Sequence, residues 1–224
     1  MEGQLASRNT YAGVVGIVEA FYPGPLGGQA VSDVLFGKYN PGGKLPYTVF
    51  YSTKDIPVAT DYNMTTPPGR TYRYYTGKPL FSFGYGLSYT TFAYSGLALS
   101  STVINPCESV NVSVTVQNTG QILGDEVIQV YVQPPEKSSL IPKIQLLAFE
   151  RVSLNPFKTH RGEYQLNPYL LSLVDMDGEH YLFPGQYTVV VTGGLEEKLT
   201  VKFIMNGPVV NVKTCQGAPQ CLAC

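Results

Sequence analysis

From residue 91 onward, apolar and polar residues alternate along the chain with a period of two. The clearest case is residues 110–116, where four valines alternate with Asn111, Ser113 and Thr115. Such alternation is typical of a strand with one face in a core and the other in solvent. Further extended runs are predicted at residues 127–132, 144–154, 162–166, 170–174, 181–183, 187–191 and 199–204. Roughly seven short strands over about 115 residues predict a two-sheet sandwich of immunoglobulin-like size.

The first fifty residues follow a different pattern. Residues 14–18 form a short apolar run, which predicts a strand buried on both faces. Residues 29–36 have helical spacing, and Gly37 follows where a left-handed cap would end the helix. The face that this helix would bury comprises Ala30, Val31, Val34 and Leu35. With an extended segment at 45–51, the region predicts one strand–helix–strand unit, which cannot cover both faces of a sheet and is therefore expected to be a truncated α/β layer.

The pattern divides the chain into four parts. We predict an α/β remnant at 1–51, an aromatic linker rich in Gly and Pro at 52–90, a β-sandwich at 91–205, and a cysteine-containing tail at 206–224. The 23 glycines and 17 prolines favour turns and short strands over long helices, so the predicted fold class is mainly β.

Charge excludes two classes of partner. The 15 Lys and Arg residues nearly balance 16 Asp and Glu residues, which gives a net charge of −1. Without a basic surplus, neither nucleic acid nor an anionic membrane surface is an expected partner. The first ten residues contain no apolar segment typical of a signal peptide, so the chain is expected to be cytosolic or to lack its true N-terminus.

The cysteines are unevenly placed. Cys107 stands apart, while Cys215, Cys221 and Cys224 lie within the last ten residues. The tail lacks histidine and a defined scaffold, so we expect a loose terminus with no metal site and no cofactor. The disulfide pairing stays open. Asn63 and Asn111 each begin a glycosylation tripeptide and are candidate glycosylation sites, which favours secretion weakly.

Few residues are candidates for chemistry. His160 and His180 lie in the strand-rich half without a nucleophile motif, and we interpret both as strand or turn residues. The acidic residues at 175–179 are interpreted as a hairpin turn, not a calcium site. Glu19 directly follows the predicted strand 14–18, where α/β sheets bind ligands, and the ring of Tyr22 could stack on a sugar. Glu19 and Tyr22 are therefore candidate substrate-binding residues, with a solvated loop as the alternative for Glu19.

Five blocks in order carry a resemblance to a known family. They are residues 21–50 (FYPGPLGGQAVSDVLFGKYNPGGKLPYTVF), 68–92 (PGRTYRYYTGKPLFSFGYGLSYTTF), 112–132 (VSVTVQNTGQILGDEVIQVYV), 146–154 (LLAFERVSL) and 184–191 (PGQYTVVV). Across residues 12–194 the chain resembles the C-terminal part of glycoside hydrolase family three, with the β-xylosidase branch as the best likeness. Tyr22 occupies the place before Pro-Gly where the family often has Trp.

The resemblance implies the end of an α/β sandwich domain followed by a fibronectin type III-like domain. It implies a parent enzyme that is extracellular and hydrolyses β-linked xylose- or glucose-type sugars with retention. The family's Asp nucleophile lies in an N-terminal barrel, and its acid/base Glu lies ahead of the block that begins at Phe21. Neither position has a counterpart here, so no catalytic residue is assigned.

Three interpretations remain open. The chain could be a C-terminal part of such a hydrolase, inactive alone, that meets β-linked oligosaccharide or polysaccharide only through the full-length enzyme. It could instead be a non-catalytic carbohydrate-binding or interaction module, which would show a row of solvent-facing aromatic residues on one sheet. The third interpretation is an incomplete gene product whose full-length parent does the chemistry.

Overall fold

A computed structural model describes residues 13–14, 16–135, 141–194 and 197–215. The helices are α1 (Gly27–Leu35), α2 (Thr71–Tyr74) and α3 (Pro168–Leu171), with 3₁₀ turns at Thr53–Asp55 and Val212–Thr214. The strands are β1 (Val49–Phe50), β2 (Pro79–Phe81), β3 (Phe92–Leu99), β4 (Val103–Ile104), β5 (Val110–Asn118), β6 (Gly124–Gln133), β7 (Gln145–Leu154), β8 (Thr159–Leu166), β9 (Leu173–Val174), β10 (His180–Leu182), β11 (Gly185–Gly194), β12 (Glu197–Met205) and β13 (Val210–Asn211). The fold is mainly β, as predicted.

Two sheets pack as a sandwich. One has the strand order β4-β12-β11-β6-β7, and the other has the order β3-β5-β8. Neighbouring strands are antiparallel except for β4, which runs parallel to β12. The predicted alternation in β5 is confirmed, because Val110, Val112, Val114 and Val116 are at most 1% exposed. The predicted fibronectin type III-like sandwich is therefore formed.

Strand β6 is buried on both faces. Ile128, Val130 and Val132 belong to the core between the sheets. On the opposite face, Gln129 and Tyr131 are only 3% and 0% exposed. The aromatic linker covers that face of β6.

The linker docks on the sandwich through an edge contact between aromatic rings. Tyr72 stacks on Phe83 with ring centroids 4.3 Å apart, and its edge contact with Tyr131 of β6 spans 5.9 Å. Nearer the N-terminal part, Tyr75 meets Phe50 edge-on at 4.8 Å. Such aromatic pairs add about 0.5–1.5 kcal/mol beyond burial of area. The linker therefore has packing partners within the chain.

The predicted strand at 14–18 is wrong. The described residues of this segment form no strand, and Val14, Ile17 and Val18 are 51%, 47% and 47% exposed. A strand needs a neighbour for its backbone hydrogen bonds, and within the described residues no strand lies beside this segment. An apolar run alone cannot supply that neighbour.

The predicted helix exists, but its apolar face is not buried. Helix α1 begins two residues earlier than expected, and Gly37 follows it with a φ of 71°, as the cap prediction required. Leu35 is 61% exposed, and Phe36 is 86% exposed. The run at 45–51 forms strand only at β1, which pairs with β2. The described residues of the N-terminal part (residues 13–14 and 16–51) thus form a helix and a short strand, with apolar side chains of the helix left exposed.

The strand predicted at residues 170–174 is also wrong for most of its length. The predicted strand is instead the end of α3 followed by the two-residue strand β9. Asn167 caps the helix, because its side-chain oxygen accepts a hydrogen bond of 2.9 Å from the Leu170 N–H, and Pro168 occupies the first turn. The Asn167 cap and Pro168 together favour a helical turn at residues 168–171 over an extended conformation.

Candidate functional site

Glu19 lies on an exposed loop and stabilises that loop. One carboxylate oxygen accepts a 2.9 Å hydrogen bond from the Phe21 N–H, and the other accepts a 3.3 Å bond from the Tyr47 hydroxyl. Phe21 has a φ of 49° and an edge contact with the Tyr47 ring at 5.9 Å. The Glu19 bond to the Phe21 N–H therefore supports a backbone conformation that few non-glycine residues adopt.

Tyr22 projects into solvent at 98% exposure. Its neighbour Glu19 points at Phe21 and Tyr47, as described above. The contact of both residues with sugar stays a prediction.

The two histidines have local partners. His180 Nδ1 lies 2.8 Å from Ser172 Oγ, and the His180 ring stacks on Tyr169 at 4.3 Å. Ser172 Oγ donates to the Tyr169 carbonyl oxygen at 2.6 Å, so its proton is already engaged at the end of α3. His160 Nε2 lies 3.1 Å from Glu150 Oε1. These contacts join neighbouring elements and do not prepare a nucleophile.

The acidic segment at 175–179 is a turn, as predicted. Asp175 accepts hydrogen bonds from the N–H groups of Asp177 and Glu179 at 3.0 and 2.9 Å, between the paired strands β9 and β10. The hydrogen bond from Lys213 is the largest cause lowering the pKa of Glu179. Over the described ranges, no three His, Cys, Asp or Glu side chains are grouped to hold a metal ion.

The strongest polar cluster joins the N-terminal part to the sandwich. Glu126 of β6 is 3% exposed, yet it carries a carboxylate. Lys44 Nζ reaches it from the segment before β1, 3.4 Å from each carboxylate oxygen, and also donates to the Gly86 carbonyl oxygen at 3.3 Å. The Tyr94 hydroxyl of β3 donates to Glu126 Oε1 at 3.0 Å. We call Lys44, Tyr94 and Glu126 the joint cluster.

Burial dominates the ionisation of the joint cluster. Loss of hydration raises the pKa of Glu126 despite the opposing attraction of Lys44. The same loss of hydration, with the Glu126 charge nearby, raises the pKa of Tyr94 above its ordinary value. The ammonium–carboxylate distances of 3.4 Å are longer than those of a strong charge-assisted hydrogen bond, so the ion pair offsets only part of the desolvation.

Gln129 makes a second joint on the outer face of β6. Its amide nitrogen donates to the carbonyl oxygens of Gly84 and Gly193 at 3.1 and 3.3 Å, and its oxygen accepts from the Tyr131 hydroxyl at 2.6 Å. Gly84 has a φ of 78°, and a Cβ there would lie 2.0 Å from Gln129 Oε1. Only glycine therefore allows the linker this close to the sheet.

Sequence reasoning missed the residues of both joints. Gln129 lies on the face of β6 that the linker covers. The available signal was that Glu126 and Gln129, together with Asp125, interrupt the mostly apolar strand GDEVIQVYV. Polar residues that interrupt a buried run need partners, and those partners lie 82 and 45 residues away in the chain.

The cysteine and glycosylation candidates are also located. Cys107 is disulfide-bonded to Cys215, with Cα atoms 5.3 Å apart, so Cys107 does not stand alone. The bond connects the turn after β4 to the 3₁₀ turn after β13. Cys221 and Cys224 lie outside the described residues. Asn63 and Asn111 are both exposed. The described residues contain no helix long and apolar enough to cross a membrane.

Comparison with known proteins identifies both parts of the chain. The family described as glycosyl hydrolase family 3 C-terminal domain matches residues 3–89, and the fibronectin type III-like domain matches residues 126–194. A periplasmic β-glucosidase of Salmonella typhimurium is 38% identical over 184 residues, which cover 78% of this chain and 24% of that protein. A xylan 1,4-β-xylosidase of Xylanibacter ruminicola is 39% identical over 188 residues, which cover 82% of this chain and 21% of that protein.

Solved structures agree with these relatives. A β-glucosidase from Erythrobacter marinus superposes with a TM-score of 0.72 at 32% identity, covering 84% of this chain and 25% of that one. The Listeria innocua β-glucosidase in complex with glucose superposes with a TM-score of 0.70 at 31% identity. The match covers 86% of this chain and 28% of that one. The chain thus spans about a quarter of the length of these relatives. Taken with the sandwich and the α/β elements before it, these matches show that the chain belongs to glycosyl hydrolase family 3 and corresponds to the C-terminal part of its β-glucosidase- and β-xylosidase-like members.

Proposed function

We propose that this chain serves as the structural C-terminal part of a hydrolase of β-linked xylosides or glucosides, and that it is inactive alone. The relatives are named as β-glucosidases and β-xylosidases, and one solved relative is bound to glucose. The substrate is accordingly a β-linked oligosaccharide or polysaccharide, met through the full-length enzyme.

The observation that carries this proposal is the joint cluster. A retaining glycosidase needs two carboxyl groups about 5–5.5 Å apart on either side of an accessible glycosidic bond. Burial raises the pKa of Glu126, but this residue is 3% exposed and contacts Lys44 and Tyr94. Substrate cannot reach it. Its place supports a role in fixing the α/β elements to the sandwich.

The exposed apolar surface of the N-terminal part supports the same proposal. Leu26, Leu35 and Phe36 around α1 are 77%, 61% and 86% exposed. Apolar residues clustered in this way mark a surface that another part of a protein covers. The remaining three quarters of the family fold offers such a part.

The alternative of a free carbohydrate-binding module is not favoured. It requires a row of exposed aromatic rings on one sheet. Among the described residues of the sandwich, the exposed rings are Phe149 of β7 and Phe157 of the following turn. Two rings on a strand and a turn do not form the flat row that a sugar chain would stack on.

A hydrolysis assay tests the proposal. The purified chain is mixed with aryl β-xylosides and β-glucosides, with a full-length family 3 β-glucosidase as positive control. We expect release of the aryl group at the no-protein rate. Turnover above that rate that disappears in the Glu19→Gln variant would contradict the proposal, because it would place a working carboxylate within this chain.

A further inference from the structure

The two glycosylation tripeptides lie in different surroundings. Asn63 is on an exposed loop between the 3₁₀ turn Thr53–Asp55 and α2. Its side-chain oxygen accepts hydrogen bonds from the Thr65 N–H at 3.0 Å and from the Thr65 hydroxyl at 2.8 Å. Among the described residues, none accepts a hydrogen bond from Asn63 Nδ2. The loop thus already holds the amide and the hydroxyl of the tripeptide within hydrogen-bond distance, on an exposed residue.

Asn111 is held in a sheet. It is the second residue of β5, the central strand of its sheet, and is paired with Gln165 of β8. Its neighbours Val110 and Val112 are completely buried, so the strand is part of the folded core. In an extended strand the side chains of Asn111 and Ser113 project in parallel, about 7 Å apart along the chain. Folding of β5 therefore competes with the bent conformation that brings amide and hydroxyl together.

The disulfide is an independent indication of the compartment. Cys107 and Cys215 are separated by 108 residues and are bonded in the folded sandwich. Disulfides form and persist in oxidising compartments, namely the endoplasmic reticulum lumen, the extracellular space and the bacterial periplasm, and they are rare in the cytosol. In eukaryotic cells the compartment that forms this bond also holds the machinery for asparagine glycosylation.

From these observations we infer that Asn63 carries an N-linked glycan and that the chain passes through a secretory compartment. The donor is a lipid-linked glycosyl diphosphate. The Nδ2–C1 bond to the sugar forms as the bond between C1 and the diphosphate oxygen breaks, and the displaced amide proton leaves with the diphosphate. No oxidant or reductant is needed for this step. The inference does not rest on the proposed function.

The glycan would cover apolar surface beside its attachment point. Tyr62 is 89% exposed, and Val58 is 71% exposed on the same loop. The Arg70 guanidinium fixes this loop by donating to the carbonyl oxygens of Val58 and Asp61 at 2.8 and 2.5 Å. A sugar chain at Asn63 would thus extend from a fixed loop and shield two exposed side chains from water and from self-association.

Secretion from yeast or insect cells tests the inference. The chain is produced behind a secretion signal, and intact mass and peptide maps are compared before and after enzymatic removal of N-glycans. We expect most molecules to lose glycan mass, with Asn63 converted to Asp. Asn63→Gln and Thr65→Val should abolish the modification, Thr65→Ser should retain it, and Asn111→Gln should leave it unchanged. The disulfide-linked pair of peptides that contains Cys107 and Cys215 should appear in the same peptide map.

Two results would overturn the inference. One is a wild-type chain secreted without sugar at Asn63, including the case in which Asn111 alone is modified. The other is a secreted and folded chain in which Cys107 and Cys215 are free thiols. The Asn63 and Thr65 variants each remove the tripeptide by a different change on an exposed loop. If one of them misfolds, the other still tests whether the tripeptide is required for glycosylation.

Discussion

Asn118 is completely buried at the end of β5 and satisfies four groups with one side chain. Its amide nitrogen donates to the carbonyl oxygens of Ile122 and Leu154, both at 2.8 Å. Its oxygen accepts from the Thr90 hydroxyl at 2.6 Å and from the Gly120 N–H at 3.0 Å. A single side chain therefore fixes the turn between β5 and β6 against the start of the sandwich.

We predict that Asn118→Ala destabilises the chain by roughly 2–5 kcal/mol, because each buried group left without a partner costs about 1–3 kcal/mol. Urea denaturation followed by fluorescence measures the loss. Asn111→Ala is the matched control on the exposed face of the same strand and should change the free energy of unfolding by less than about 1 kcal/mol. Equal effects of the two substitutions would show that the Asn118 hydrogen bonds do not contribute to the free energy of unfolding.

Glu126 predicts a pH dependence with a defined sign. Because desolvation raises its folded-state pKa above the unfolded value, the folded chain retains a proton that the unfolded chain has lost. This contribution to stability is complete below the unfolded pKa and is lost as pH rises through the folded pKa. We therefore expect the stability of the wild type, relative to Glu126→Gln, to fall as the pH rises above about 4, the ordinary pKa of a glutamate.

Denaturation curves at several pH values measure this difference. Glu163→Gln, which removes an exposed charge from β8, is the control for a general change in net charge and should show a smaller dependence. A difference that instead grows with pH would mean that the attraction of Lys44 outweighs the loss of hydration. The same comparison in high salt should change little, since salt screens buried pairs weakly.

Strands and helices were predicted correctly from the sequence where a strand and its neighbouring strands lie in the same chain. The alternation of β5 fixed its register, because β3 and β8 supply hydrogen bonds on both edges. Prediction failed at 14–18, where an apolar run has no neighbouring strand among the described residues. It also failed at α3, where the cap at Asn167 outweighed the apolar pattern that follows. Hydrophobic pattern alone does not reveal which backbone partners are present.

The register of β5 can be tested with one charge. Val114 is 1% exposed, so Val114→Asp places an unpaired carboxylate in the core and should cost several kcal/mol. The next residue, Thr115, lies on the other face opposite Arg161 of β8, so Thr115→Asp should be nearly neutral. Thermal melting of both variants provides the comparison. If Val114→Asp melts at the wild-type temperature while Thr115→Asp unfolds, the register is shifted by one residue.

The molecule consists of a β-sandwich joined to an N-terminal part with exposed apolar side chains. The joint cluster and Gln129 connect the two parts, and these long-range contacts could not be predicted because nothing local pairs Lys44 with Glu126. The candidate residues Glu19 and Tyr22 were located by reasoning from a strand that does not form. Their position on an exposed loop leaves sugar contact as a prediction, while family membership followed from ordered sequence blocks.

Native-state hydrogen exchange tests most directly whether the N-terminal part is an unfinished portion of a larger enzyme. In the chain alone, we expect amides at residues 16–18 to exchange rapidly, and those of α1 to be protected only weakly. Amides within β5 should exchange only on global unfolding. The reason is that Ile17, Val18 and Leu35 are largely exposed, whereas the valines of β5 are completely buried. Protection across residues 16–36 equal to that of residues 110–116 would contradict this account and would favour a self-sufficient binding module.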